Sequence, residues 1–292
     1  MFEGSLVALV TPMKEDGSID FVDLKKLIDW HIKSGTDGLV IAGTTGESST
    51  ISIDEHCKLL DVAVSYSNNR VPVLAGAGGN STSEAIELTN YAKKVGADAS
   101  LQVVPYYNRP TQEGLFKHFK LIAETVDLPM ILYNVPSRTS TDMLNETILS
   151  LSNIPGIIGL KDATADISRG IELLRLVPNS FNIYSGDDSS SMALMFCGGK
   201  GNISVTANVA PIEMHKLCRD SIARNFKSAI QINNKLIPLH NALFIEPNPI
   251  PVKWALHEMG YITRGIRLPL VNLSNQNQDI LRNALFESGV LL

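Results

Sequence analysis

Lys161 is the residue in this sequence best suited to covalent chemistry. It stands at the polar end of the apolar run Ile157-Ile158-Gly159-Leu160, which has the composition of a buried strand. Lysine is seldom fully buried unless it is paired or chemically used. An amine removed from water loses part of its preference for the charged form, and the neutral amine attacks carbonyl carbons. The run therefore indicates an amine nucleophile, with a surface or ion-paired lysine as the alternative.

Other polar residues with complementary chemistry also follow apolar runs. They are Thr44 and Thr45 in a Gly-Thr-Thr-Gly turn, Tyr106 and Tyr107 after Pro105, Tyr133 and Arg138 around Asn134-Val135-Pro136, and Gly186 before two aspartates. Hydroxyl and backbone N–H groups can bind one carboxylate, a guanidinium can bind a second, and a tyrosine can transfer protons. Taken singly, these residues have simpler interpretations. The Gly-Thr-Thr-Gly segment could be an ordinary turn, Tyr106 and Tyr107 could be core or interface aromatics, and Arg138 could form a surface ion pair. Together with the lysine they favour carbonyl chemistry.

Eight short β-rich runs alternate with helix-like segments and must position these residues. The runs are Ser5–Thr11, Gly38–Ala42, Pro72–Ala75, Ser100–Val104, Met130–Asn134, Ile157–Lys161, Asn182–Ser185 and Asn202–Thr206. Most are nearly continuous in hydrophobicity, which is typical of parallel strands covered on both faces. Eight alternations predict an α/β fold, a (β/α)8 TIM barrel whose chemistry lies at the C-terminal strand ends. A doubly wound open sheet is the alternative, although no GxGxxG motif follows the first run.

The helix-like segments carry their own start signals. Ser52-x-x-Glu55 and Ser81-x-x-Glu84 both have the spacing of a capping box, so Glu84 has a purely local interpretation as well. After the eighth run, helices are predicted near Ile212–Ile237, Pro249–Met259 and Gln278–Glu287. We therefore expect residues 1–210 to form the barrel core. Residues 211–292 would form the remainder of the last barrel helix and a C-terminal helical appendage within the same structural unit.

Composition excludes several classes of function. The 292 residues are 44% hydrophobic and 19% charged, with a formal net charge of −5 and no long run of one sign, so no nucleic-acid or membrane partner is indicated. No apolar stretch reaches the roughly 18 residues that a membrane span needs, and the first residues lack a signal-like pattern, so a cytoplasmic location is expected. Cys57, Cys197 and Cys218 are far apart, and the six histidines show no metal spacing. Neither a disulfide framework nor a metal site is predicted.

Three motifs together resemble the pyruvate-dependent class I aldolase family, the N-acetylneuraminate lyase-like enzymes. They are Gly43-Thr44-Thr45-Gly46-Glu47, Tyr133-Asn134-Val135-Pro136-x-Arg138-Thr139 and Gly159-Leu160-Lys161-Asp162. The segment Tyr106–Pro110, Arg138 and Glu246-Pro247-Asn248-Pro249 are similar to the members that use L-aspartate-4-semialdehyde as acceptor. The resemblance extends over essentially the whole chain.

The resemblance implies a Schiff-base lyase of lysine biosynthesis. Lys161 would form an imine and then an enamine with pyruvate, and the enamine would attack the aldehyde of L-aspartate-4-semialdehyde. This is the first committed step of the diaminopimelate pathway. Tyr133 would be the general acid and base, in a proton relay with Thr44 and Tyr107.

Substrate-binding roles follow from the same resemblance. Thr45 and the backbone of Ile203 would hold the carboxylate and keto group of pyruvate. Gly186 would allow close approach, and Arg138 would bind the carboxylate of the semialdehyde. No cofactor is implied beyond the covalent Schiff base on Lys161.

The resemblance also implies assembly and feedback control. In the family the relay tyrosine matching Tyr107 comes from a neighbouring subunit, which implies at least a dimer and usually a homotetramer. L-Lysine acts as an allosteric feedback inhibitor at the subunit interface. The matching positions are Ser48, Ser49, His56, Asn80, Glu84 and Tyr106. Ile53 departs from the histidine that lysine-sensitive relatives often carry, so we expect inhibition to survive with reduced affinity.

Two other functions compete with this interpretation. A lyase for sialic acid or a 2-keto-3-deoxy sugar acid would share Lys161 and Tyr133, but Arg138 and the Tyr106-Tyr107 pair fit a short acidic semialdehyde better than a polyol. A non-catalytic small-molecule sensor would have lost a catalytic residue, and none is missing from the motifs.

Overall fold

The sheet is a closed barrel of eight parallel strands in chain order. The computed structural model describes residues 2–291. The strands are β1 Gly4–Ala8, β2 Gly38–Ile41, β3 Val73–Gly76, β4 Ala99–Val103, β5 Met130–Asn134, β6 Ile157–Asp162, β7 Asn182–Ser185 and β8 Gly201–Ser204. The last strand returns to the first, with Gly4 opposite Gly201 and Val7 opposite Ser204. The predicted TIM barrel is confirmed, and the open sheet is excluded.

Helices follow the strands around the outside of the barrel. They are α1 Phe21–Lys33, α2 Ile53–Ser67, α3 Thr82–Val95, α4 Gln112–Thr125, α5 Pro136–Thr139, α6 Asn145–Leu151, α7 Ile167–Leu176, α8 Ser191–Phe196, α9 Pro211–Ile222, α10 Phe226–Ala242, α11 Ile250–Glu258 and α12 Asn275–Glu287. The interior of the barrel, which the strands enclose, is filled by apolar side chains such as Leu6, Val40, Ile131 and Ile203. None of the helices within residues 2–291 has the length and hydropathy needed to cross a bilayer.

One of the two predicted capping boxes forms. At α2 the backbone N–H of Glu55 donates to Ser52 Oγ at 3.2 Å, and the N–H of Ser52 donates to the Glu55 carboxylate at 2.8 Å. At α3 the prediction is wrong. The Ser81 hydroxyl is hydrogen-bonded to the Ser83 hydroxyl at 3.0 Å and makes no cap bond. Glu84 is an exposed first-turn residue.

Strand β8 ends earlier than predicted because a side chain takes over its backbone donors. It was expected to reach Thr206 and stops at Ser204. The N–H groups of Val205 and Thr206 donate to the buried carboxylate of Asp188, at 3.1 and 2.9 Å. The side chain of Asp188, a residue in the loop after β7, therefore determines where β8 ends.

The long helix predicted over Ile212–Ile237 is two helices. Helix α9 ends at Ile222, and α10 begins at Phe226. Arg224, between them, has a φ of +59°, which a continuous right-handed helix cannot contain. Helix α9 packs on β1 as the eighth helix of the barrel, and α10 packs on both α9 and α12.

Candidate active site

A cavity of about 570 Å³ opens at the C-terminal ends of the strands. The side chains of Lys161, Tyr133 and Arg138 lie on its wall, together with Thr44 and Thr45 from the loop after β2. With Gly186, which lies on the same wall, six of the eight catalytic and substrate-binding residues predicted from the motifs meet in one place. This is the edge of the barrel at which (β/α)8 enzymes carry out their chemistry.

Lys161 is neither a surface lysine nor an ion-paired one. It is the fifth residue of β6, and its side chain is only 6% exposed. In the strand register it lies opposite Tyr133, and its Nζ is 4.3 Å from the centre of the Tyr133 ring. Across residues 2–291 no carboxylate lies within salt-bridge distance of this Nζ, and no hydrogen bond occupies it. The amine is thus available to a ligand in the cavity.

Gly186 supplies the space that this lysine needs. It follows β7 and lies on the cavity wall. A Cβ at this position would be 2.9 Å from Lys161 Cε and 2.8 Å from Ala163 Cβ. Both distances are well inside van der Waals contact, so any larger residue must displace the lysine or its neighbour.

The two threonines of the Gly-Thr-Thr-Gly turn have different surroundings. Thr45 is buried, and its Oγ1 accepts a hydrogen bond from Nδ2 of Asn248 at 2.9 Å. Because that oxygen already accepts a bond, the Thr45 hydroxyl proton is free to donate elsewhere. Thr44 is partly exposed and borders both this cavity and a smaller one beside it.

Asn248 is a residue of the site that motif spacing did not single out. It is buried, lies on the cavity wall just before α11, and its carbonyl accepts a hydrogen bond from Arg138 Nη2 at 3.3 Å. One residue of the C-terminal segment therefore contacts both groups predicted to bind carboxylates, Thr45 through its side chain and Arg138 through its backbone carbonyl. The only signal was its place in the Glu246-Pro247-Asn248-Pro249 motif, because 203 residues separate it from Thr45.

Three of the predicted residues lie outside the main cavity. The side chain of Ile203 is buried in the barrel interior. Tyr106 lies beside the smaller cavity, and Tyr107 is 90% exposed with a φ of +73°. Of the three tyrosines singled out in the sequence, only Tyr133 lies on the wall of the main cavity within one subunit.

The smaller cavity, of about 230 Å³, joins part of the predicted allosteric set to the active site. Ser48, Ser49 and Tyr106 line it, and so do Thr44 and Arg138. Asn80 is adjacent, with its Nδ2 donating to the Tyr106 carbonyl at 3.2 Å.

His56 and Glu84 are not on the wall of this smaller cavity. His56 is buried in α2, where burial lowers its pKa, and Glu84 is exposed on α3. Ile53, 57% exposed, is the first residue of α2. The structure of one subunit therefore brings together four of the six predicted lysine-binding residues.

Metal-binding side chains do not cluster in the part of the chain that the structure describes. No group of three or more His, Cys, Asp or Glu residues there could hold a metal ion. Three buried histidines are bonded to threonine hydroxyls instead, His31 to Thr36 at 3.0 Å, His118 to Thr82 at 2.9 Å and His240 to Thr206 at 2.8 Å.

Comparison with known proteins gives a consistent result over the whole chain. Residues 1–288 match the model of the dihydrodipicolinate synthetase family. The 4-hydroxy-tetrahydrodipicolinate synthase of Herminiimonas arsenicoxydans is 65% identical over 291 residues, covering 100% of both chains. A crystal structure of the chloride-inhibited dihydrodipicolinate synthase of Acinetobacter baumannii with pyruvate has a TM-score of 0.99 and 53% identity, covering 100% of both chains. The lysine-bound enzyme of Cyanidioschyzon merolae has a TM-score of 0.95 and 37% identity, covering 99% of each chain.

Proposed function

The chain belongs to the dihydrodipicolinate synthetase family, and from this we propose that it makes 4-hydroxy-tetrahydrodipicolinate by condensing pyruvate with L-aspartate-4-semialdehyde. It is a lyase of the class I aldolase type, and its reaction is the first committed step of lysine biosynthesis by the diaminopimelate pathway. The observation that carries the proposal is the buried, unpaired amine of Lys161 in a polar cavity beside Tyr133. A sensor would not need this arrangement, and a polyol aldolase would not need Arg138.

The first step is attack of the Lys161 amine on the keto carbon of pyruvate. Water leaves, and an imine forms between Nζ and that carbon. Loss of a proton from the pyruvate methyl group gives an enamine, whose carbon attacks the aldehyde of the second substrate. Cyclisation through the amine of that substrate displaces Nζ, which regenerates the lysine. Every bond change uses only the lysine and the two substrates, so the reaction needs no further cofactor.

Tyr133 is the group best placed to move protons in these steps. Its ring packs against the Lys161 amine, and its side chain is 7% exposed. A general acid or base must lie within hydrogen-bond reach of the atoms it serves. Thr44 lies on the same wall, where it would pass the proton between Tyr133 and a second tyrosine.

Two carboxylates must be held apart in the cavity. Thr45, with its proton free to donate, binds the carboxylate of pyruvate, and the backbone of Ile203 completes that site. Arg138 binds the carboxylate of the semialdehyde in bidentate fashion. Asn248 lies between the two groups, with its side chain on Thr45 and its backbone carbonyl on Arg138.

Assembly completes the proton relay. Tyr107 is 90% exposed on its own subunit, while Thr44 borders the smaller cavity as well as the main one. We place the partner subunit's Tyr107 in that cavity, so that the active site requires at least a dimer. Exposed Phe226 and Ile230 on α10 support a second contact and a homotetramer built as a dimer of dimers.

The same interface would carry the regulatory site for L-lysine. Ser48, Ser49, Asn80 and Tyr106 form one side of it, and their cavity shares Thr44 and Arg138 with the catalytic site. His56 and Glu84 would complete it when two subunits meet. The setting is proposed to be the cytoplasm, where the amino-acid pathway operates.

Borohydride trapping tests the central claim. The protein is incubated with pyruvate, reduced, and weighed by intact mass spectrometry, with Lys161→Ala as the matched control. We expect one adduct per chain, equal in mass to pyruvic acid less one oxygen atom, and none in the variant. A folded parent protein that gains no mass would contradict the Schiff base and with it the proposed reaction.

A further inference from the structure

A buried ion pair packs against the loop that joins β2 to α2, residues 42–52, which carries Thr44 and Thr45 and is called the threonine loop below. Glu47, the last residue of the Gly43–Glu47 motif, is 2% exposed, and Lys253 in the first turn of α11 is 4% exposed. The ammonium of Lys253 bonds to Oε1 of Glu47, and the backbone N–H of Arg267 donates to Oε2 at 3.1 Å. Neither side chain is on the wall of the catalytic cavity.

Stability alone is a poor reason for such a pair. Burial penalises both charges, and this loss of hydration lowers the pKa of Lys253 despite the carboxylate beside it. Replacing a buried ion pair by uncharged groups of similar volume is often neutral or stabilising. What a buried pair can supply is a single fixed geometry, because any other arrangement leaves a charge unpaired.

The geometry fixed here is that of the loop carrying Thr44 and Thr45. Glu47 has a φ of +58°, a left-handed conformation that is strained for a residue with a side chain. Its N–H donates to the Thr44 carbonyl at 3.1 Å, and its own carbonyl accepts from the N–H of Thr50 at 3.0 Å. Holding the carboxylate of Glu47 therefore holds the turn from which both threonines project.

The same C-terminal segment reaches the loop at two further points. Asn248, five residues before Lys253, donates to Thr45 Oγ1. Arg267 binds Glu55 through both terminal nitrogens, at 2.7 and 2.6 Å, and the carbonyl of Thr50 at 2.8 Å. The C-terminal segment therefore holds the loop through several contacts. Among these contacts in residues 2–291, the Glu47–Lys253 pair is the only ion pair in which both side chains are nearly fully buried.

We propose that Glu47 and Lys253 are positioning residues that set the place of Thr45, and so the affinity for pyruvate, without touching the substrate. The inference rests on the proposed function. It predicts a selective effect, because Arg138, which binds the second substrate, is not in contact with the pair. A merely structural role would change the fraction of folded protein and leave both Michaelis constants of that fraction unaltered.

Glu47→Asp is the first test because it keeps both charges and withdraws the carboxylate by one methylene, about 1.5 Å. The loop must follow the carboxylate or lose its bond to Lys253. A misplacement of about 1 Å can cost about a hundredfold in an enzyme. We expect the KM for pyruvate to rise about tenfold or more, while the KM for L-aspartate-4-semialdehyde stays within about twofold.

A second variant removes the charges together. Glu47→Gln/Lys253→Met leaves no unpaired buried charge, so its thermal midpoint should exceed that of Lys253→Met alone. Its KM for pyruvate should remain raised, because the uncharged pair no longer fixes the turn. The control is Arg282→Met, which removes the ion pair with Glu258 at the far end of α11 and should leave both constants unchanged.

The outcomes separate this inference from the proposed function. Loss of the pyruvate adduct in the unaltered protein would defeat the function itself. With that adduct present, a folded Glu47→Asp protein with a parental KM for pyruvate would overturn the positioning role. A double variant that recovers both the thermal midpoint and the parental KM for pyruvate would also overturn it. The same holds for a Glu47→Asp protein in which the KM values for both substrates rise in proportion.

Discussion

Gly186→Ala should slow the formation of the pyruvate imine more than it harms the fold. The added Cβ would lie 2.9 Å from Lys161 Cε, 3.1 Å from Lys161 Cγ and 2.8 Å from Ala163 Cβ. Carbon atoms need about 3.5 Å, so Lys161 Cε must retreat by about 0.6 Å. The lysine side chain is the more flexible neighbour, and its amine is the atom that has to meet the keto carbon.

The size of the effect follows from that displacement. A shift of about 1 Å can cost about a hundredfold in rate, so about 0.6 Å is expected to cost roughly tenfold. Overpacking a well-filled site costs about 1–3 kcal/mol, which a native domain of this size tolerates. Imine formation should therefore fall about tenfold while the protein remains folded.

The measurement is the rate of adduct formation under borohydride, sampled over time by intact mass spectrometry. Gly79→Ala is the matched control, because a Cβ there meets nothing within 4 Å. Thermal unfolding of both variants reports on the fold. A Gly186→Ala protein that forms the adduct at the parental rate would show that the lysine is not confined as described, and the steric reasoning would fail.

Three further predictions concern stability, assembly and regulation. Burial lowers the pKa of His31 from 6.5 to about 3, so between these values the unfolded chain binds a proton that the native chain does not. The contribution of His31 to stability should thus be full above pH 6.5 and fall by about 1.4 kcal/mol per pH unit below it, and His31→Asn should reduce the slope measured by urea unfolding by that amount, while the buried His56, His118 and His240 keep their own share. Tyr107→Phe should lower kcat about a hundredfold without changing the assembly seen by sedimentation, since the hydroxyl would act in the partner's site; an unaltered kcat would contradict the shared relay. Ile53→His should increase sensitivity to L-lysine in a titration of rate against inhibitor, and a parent enzyme unaffected by saturating lysine would argue against any regulatory site.

The parts of the fold that repeat along the chain could be predicted from the sequence. Strands β5 and β7 have the predicted bounds, because a buried parallel strand is a short apolar run with a polar end. Once those ends share one edge of a barrel, Tyr133 and Lys161 must lie close together. Their exact opposition could not be predicted, because the register shifts by one residue between Met130 and Ile131 and so brings Tyr133 opposite Lys161.

What depended on contacts between distant segments could not be predicted. Asn248 meets Thr45 across 203 residues, and Lys253 meets Glu47 across 206. No local spacing encodes such pairs. The capping box predicted at Ser81 is missing for a local reason. The hydroxyl of Ser83 binds the Ser81 side chain and competes with the backbone N–H group that it would have capped. Under the proposed assembly, the outward position of Tyr107 serves a contact with a partner subunit, which no local spacing encodes.

The contacts between the threonine loop and the C-terminal segment also have a consequence for the folding of the chain during its synthesis on the ribosome. A ribosome delivers all eight strands before it delivers Asn248 and Lys253. Domains fold as units while chains emerge from the N-terminal end, and a chain paused after β8 would carry the nucleophile with its carboxylate-binding turn still unanchored. On the proposed positioning role, the turn that binds pyruvate is therefore fixed only after Asn248 and Lys253 have emerged, so the chain up to β8 would hold its reactive lysine without a complete carboxylate site.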